Sequence, residues 1–281
     1  MTLPLWVADA ADAFWRAAGE AEPFPRDLRR PIAYALPLGV VLLPRLRLRG
    51  VDAWLRGQGI VCGLPKTPKT PKTPKTRLGA GRLGAGRLAC SKLSLGGASA
   101  PADRALRACL VARRGQGLVF LDGADPADEQ RFSLAHELAH FLRDYWLPRR
   151  QAGDRLGPAV LDVLDGARPP RPEERVHAVL ARVELGYHVH LLDRAPDGAA
   201  SPAIAAAERA ADLLACALLA PADDATRGLP DLPAPALREA VARRLVGDFG
   251  LPVAPAARYA ALLVPPPPGG DDLLRRLGLA R

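Results

Sequence analysis

One stretch constrains this chain more than any other: Arg131-Phe132-Ser133-Leu134-Ala135-His136-Glu137-Leu138-Ala139-His140, followed by Phe141-Leu142. Upstream, Asp125 reads as a helix N-cap and Pro126 as the first helical residue, with Asp128 and Glu129 acidic in the first turn. The helix is expected to run about twenty residues to Trp146, before Pro148. Its middle sets two histidines and a glutamate among Phe132, Leu134, Leu138, Phe141 and Leu142. Wherever that apolar frame packs, ionisable groups go with it, and buried imidazoles and carboxylates need partners.

Residues four apart share one helix face, so His136 and His140 can present ring nitrogens to a single ion. Zinc takes neutral imidazole nitrogen and leaves a position for water. Glu137, one residue after the first histidine, projects to the side of that water and can accept its proton as general base. Five His and nine Glu in 281 positions predict about 0.003 chance matches to this spacing, so the motif is specific. The competing reading is a pair of histidines satisfied on a helix surface.

A metal site of this type needs a third protein ligand. A third histidine six residues on is ruled out, because Arg143 replaces the required glycine and Trp146 the histidine. A glutamate on a second helix is the alternative, often with an acid one turn later that orients a ligand histidine. Only Glu208 among the glutamates has an acid at i+4, Asp212, and both fall on a helix expected over 203–219. Glu208 is therefore the expected ligand and Asp212 its supporting acid; Glu173, Glu174 and Glu184 are rival ligands.

Residues 131–140 closely resemble the motif helix of the ImmA/IrrE family of bacterial metallo-endopeptidases. So does Glu208-Arg209-Ala210-Ala211-Asp212-Leu213-Leu214-Ala215-Cys216-Ala217-Leu218-Leu219-Ala220-Pro221, with Ala220 where the family often has Met. The 67 residues between His140 and Glu208 exceed the family's expected spacing, so an extra element falls there. The resemblance covers about 105–221 well, and Phe249-Gly250-Leu251-Pro252 with the helix after it loosely. It implies an α+β, zincin-like metallopeptidase minidomain with helical N- and C-terminal extensions. It also implies Zn2+ as cofactor, with another divalent ion such as Mn2+ as the alternative, and a protein substrate such as a helix-turn-helix transcriptional repressor in a stress or mobile-element response. The rival function is a non-catalytic, metal-dependent regulatory or protein- and DNA-binding module on the same fold.

The rest of the chain is organised around that core. The expected regions are a helical N-terminal part (1–64), a basic insert (65–88), the metallopeptidase core (89–222) and a helical C-terminal part (223–281). Helices are expected over 5–20 and 45–57, with an extended or loop segment between Pro31 and Pro44. A hairpin is expected from 105–113 and 118–122 around Gly115-Gln116-Gly117, with Leu118–Leu121 offering an edge on which a peptide could add as a strand. Further helices are expected over 158–165 and 173–186, a short strand over 187–192, and two or three short helices after 222.

The net charge of +9 suggests a nucleic-acid partner, but Pro-Lys-Thr repeats and the Arg-Leu-Gly-Ala-Gly run at 65–88 hold seven of those charges and no acid. Two remain for the rest, so direct nucleic-acid binding is not expected. The insert reads as a disordered expansion of a surface loop. Cys62, Cys90, Cys109 and Cys216 form no C-x-x-C pair, which suits reduced thiols in a cytoplasmic protein. No signal peptide or membrane span is read. Tyr187, His188 and His190 remain as candidate transition-state donors; a second metal site at His188 and His190, and core or surface roles for them and His177, stay open.

Overall fold

The fold is described from a computed structural model, covering residues 3–19, 23–59, 103–181, 188–194 and 201–265. The basic insert at 65–88, Glu184, Tyr187, and Cys62 and Cys90 lie outside the described residues. In order, the elements are α1 (Leu5–Ala18), α2 (Arg29–Ala35), β1 (Leu38–Leu43), α3 (Leu48–Gly57), β2 (Leu106–Arg113), β3 (Gln116–Asp122) and α4 (Ala127–His140). A π-helical segment, Phe141–Trp146, leads into α5 (Leu147–Leu156), α6 (Val160–Leu164), α7 (Pro172–Ala181) and β4 (His188–Asp193). Then come α8 (Pro202–Leu219), α9 (Ala222–Thr226), α10 (Ala234–Gly247) and α11 (Val253–Leu263). This is a mixed α+β fold, as expected. No helix among the described residues is long and apolar enough to cross a membrane.

The chain divides into two compact units, Met1–Leu46 with Ala105–Arg281, and Arg47–Arg104. In the smaller one, α3 buries Val51 and Leu55, and Arg47 Nε donates to Asp103 Oδ2 at 2.7 Å. The larger unit holds a four-stranded sheet in the order β1-β3-β2-β4. β2 and β3 are antiparallel with Arg113 opposite Gln116, so the turn is Arg114-Gly115. Both turn residues have positive φ, 52° and 76°, the backbone of a type I′ hairpin whose twist matches its strands. β4 pairs antiparallel with the far side of β2, and β1 pairs parallel with β3.

Three expectations change. The segment from Pro31 to Pro44 is half helix and half strand, because Leu38–Leu43 is drawn into parallel pairing with β3. The N-terminal residues, helical over α1 and α2, thereby also supply a strand of the central sheet. Leu118–Leu121 is no edge, since β3 lies between β1 and β2. Finally, Pro126 caps α4 rather than opening it, and Pro148 does not end the helical run. Proline lacks an N–H and its ring crowds the preceding turn, and Pro148 stands in the first turn of α5, directly after the widened π-helical segment.

α4 lies against β2 and β3 on one side and α8 on the other, with α1 against α8. Burial from both sides explains why every residue from Phe132 to His140 is buried. Phe141, directly after α4, reaches the sheet over Gly117, where a Cβ would come within 2.9 Å of the ring and 2.6 Å of Leu38. Replacing Gly117 by Ala is expected to lower stability by about 1–3 kcal/mol through overpacking. A denaturant midpoint equal to that of the parent protein would contradict this packing.

Candidate metal centre

Burial fixes what α4 presents. His136 and His140 are each 2% exposed and Glu137 is 0% exposed. Four residues converge there: His136 and His140 from α4, His190 from β4 and Glu208 from α8. Each can offer a ligand atom, and those atoms all lie within 4.8 Å of one another. His136 Nε2 is 3.3 Å from Glu208 Oε2, and His140 Nε2 is 3.6 Å from Glu208 Oε1. Neither Nε2 atom has a hydrogen-bond partner among the described residues.

The opposite ring nitrogens are committed. His136 Nδ1 is 2.9 Å from Asp212 Oδ1, and His140 Nδ1 is 2.7 Å from Asp144 Oδ2. An ionised carboxylate only accepts, so each Nδ1 carries its hydrogen. In the neutral imidazole, Nε2 then bears the lone pair. Two such nitrogens facing a carboxylate are satisfied by protons or by a cation between them, and the donor set of two imidazoles and one carboxylate suits a divalent metal.

His190 comes from strand pairing: it sits opposite Leu110 of β2, on the same face as His188. Its Nδ1 is 2.9 Å from Glu137 Oε2 and its Nε2 is 3.0 Å from Glu208 Oε1. Both nitrogens face acceptors, so both donate, and the ring is an imidazolium. It stacks on His140 with centroids 3.7 Å apart.

The charges follow this geometry. Burial works to lower the pKa of His136, but Asp212, Glu208 and Glu137 outweigh it and raise it to about 9. Burial is likewise overcome at His190 by Glu137 and Glu208, raising it to about 10. Burial would raise Glu208, yet the three imidazoles hold it well below the usual carboxylate range.

Other candidates lie elsewhere. His188 is buried one pleat away, its ring 6.1 Å from that of Tyr145. Glu174 is tied to Arg168 at 2.5 Å, and Glu173 is exposed on α7. Cys216 packs in the core, where burial pushes its thiol up. Asp144 joins the centre although the motif does not mark it. Its signal is its place four residues after His140, the same spacing that separates Asp212 from Glu208.

Residues 99–156 match the Peptidase_M78 family model, the IrrE N-terminal-like domain. Over that segment the chain is similar to the family's domain. The IrrE N-terminal-like segment contains His136, Glu137 and His140 but ends before Glu208, whose place at the centre rests on geometry. The family points to a metallopeptidase-type function with a protein substrate. No curated protein and no solved structure matches the chain.

His136 and His190 hold protons up to about pH 9 and 10 in the metal-free protein. A metal bound at His136 needs its neutral ring and must displace that proton, while His190 keeps its own. Zinc loading at pH 7 should therefore release protons, and apparent affinity should rise from pH 6 to 8. Zinc titrations in buffers of different ionisation enthalpy read this; an affinity independent of pH would contradict it.

Proposed function

We propose that the chain is a zinc-dependent endopeptidase in which His136, His140 and Glu208 hold the ion and Glu137 is the general base. The observation that carries this reading is the state of Glu137. One carboxylate oxygen is held by His190, while Oε1 is buried with no hydrogen-bond partner among the described residues. A site meant only to hold a metal has no use for that free oxygen, so the non-catalytic alternative is not favoured. Zinc bound at the three ligands would supply Lewis acidity, polarising a peptide carbonyl and making water a stronger acid.

The chain's own residues do the rest. Glu137 Oε1 takes the proton of the attacking water and later passes it to the leaving amine. His190 keeps Glu137 oriented through Nδ1–H and, through Nε2–H, can donate to negative charge developing on the scissile carbonyl. Asp212, backed by Arg258 Nη2 at 3.2 Å, holds His136 with Nε2 open.

Access is from the side of Glu208, which is 35% exposed. Beside it, β4 has no second strand partner among the described residues, and Val189 on it is exposed. An extended peptide adding to β4 would pass His190, so β4 takes the role expected of Leu118–Leu121. The substrate class we favour, from the family resemblance, is a helix-turn-helix transcriptional repressor cleaved in the cytoplasm.

Glu137→Gln is expected to keep zinc at parent stoichiometry and lose cleavage of candidate repressors encoded nearby by at least about 100-fold. Metal analysis and a gel-based cleavage assay read the two outcomes. Cleavage at the parent rate would contradict the role of Glu137.

A further inference from the structure

Both histidines of the motif are backed by an aspartate, and each aspartate by an arginine. The His136 arm, Asp212 and Arg258, uses residues from α8 and α11. The His140 arm is built differently, wholly within the helical run that carries the motif. Asp144 Oδ2 accepts from His140 Nδ1 at 2.7 Å. Arg143, its chain neighbour, grips both carboxylate oxygens, Nε to Oδ1 at 2.6 Å and Nη2 to Oδ2 at 2.7 Å. The third guanidinium nitrogen, Nη1, donates to the Ala207 carbonyl at 2.6 Å, one residue before Glu208.

This arrangement depends on the π-helical segment that begins at Phe141. Such widened turns are uncommon and concentrate at functional sites. Here the widened turn carries both Arg143 and Asp144, and the Arg143 guanidinium bridges from it to the backbone of α8. One bidentate pair therefore touches a histidine on one helix and the turn that presents a carboxylate on another.

Resting on the metallopeptidase reading above, we propose that Asp144, clasped by Arg143, is a positioning residue of the metal centre. It keeps His140 protonated at Nδ1 with Nε2 directed at the ion, and Arg143 ties that geometry to the helix turn bearing Glu208. Outer partners of ligand histidines typically carry about 10–100-fold of metal affinity. Asp144 is assigned that share for His140, as Asp212 is for His136.

The test is zinc affinity of the full-length, metal-free protein, measured by competition with a chromophoric chelator. Parent, Asp144→Ala, Asp144→Asn and, as a ligand control, Glu208→Gln are compared, with thermal melting of each metal-free protein recorded alongside. Asp144→Ala is expected to weaken zinc binding by about 10–100-fold. Asp144→Asn keeps an acceptor of the same shape without the charge, so it should recover part of that loss. A general structural role would instead lower the melting temperature and leave affinity unchanged among the folded variants. If Asp144→Ala does not fold, the isosteric Asp144→Asn decides, with an affinity below the parent supporting the proposal. Parent-like affinity in the folded Asp144 variants overturns the positioning role alone. A parent protein that binds no zinc, or a Glu208→Gln variant that binds it as the parent does, overturns the metal-centre reading with it.

Discussion

The structure turns on the burial of α4 from both sides. Nine consecutive residues, Phe132 to His140, are withdrawn from solvent, and three of them are ionisable. An isolated buried charge is not tolerated in an apolar interior, so each must meet an opposite charge or a metal. The surrounding elements answer that demand one by one. α8 supplies Glu208 and Asp212, β4 supplies His190, and the widened turn after α4 supplies Asp144. Each is placed by an independent device: helix packing, the antiparallel register of β2 with β4, and the π-helical segment.

Such a centre does little for stability. Bringing carboxylates and imidazoles out of water costs about as much as their attraction returns, and Glu208 is open to solvent on one side. The stabilising mass lies in the apolar core around it, from Leu110, Val119 and Leu121 on the sheet to Leu138, Leu214 and Leu218 on the helices. What the polar network provides is definition. Glu137 has one oxygen fixed and one free, and His136 and His140 have one nitrogen committed and one open. On the proposed metallopeptidase reading, a site so poised has its proton acceptor and its ligand atoms arranged in advance, which reduces reorganisation during reaction.

Much of this was legible in the residues. The i, i+4 histidines and the glutamate beside the first follow from helical periodicity, and Glu208 with Asp212 from the same spacing on a second helix. The hairpin and the two long helices were readable because their signals are local: a turn glycine, an acidic first turn, a regular apolar stripe. What could not be read depends on tertiary partners. β1 looks like an apolar loop until β3 is there to pair with it. His188 and His190 are equivalent by alternation, and only the position of α4 decides that His190 enters the centre while His188 packs near Tyr145. Pro148 signals a helix stop, yet the widened turn before it lets the helical run continue and brings Asp144 to His140. The basic insert drew attention through its charge, but the centre is assembled from residues outside it.

The central claim is that two imidazoles and one carboxylate form the protein part of a zinc site, with His190 held back beside it. X-ray absorption spectroscopy of the zinc-loaded full chain tests this most directly. The account predicts an all nitrogen and oxygen shell with first-shell distances of about 2.0–2.1 Å and multiple scattering from two imidazoles. A thiolate in the shell, or scattering from three imidazoles, would contradict it.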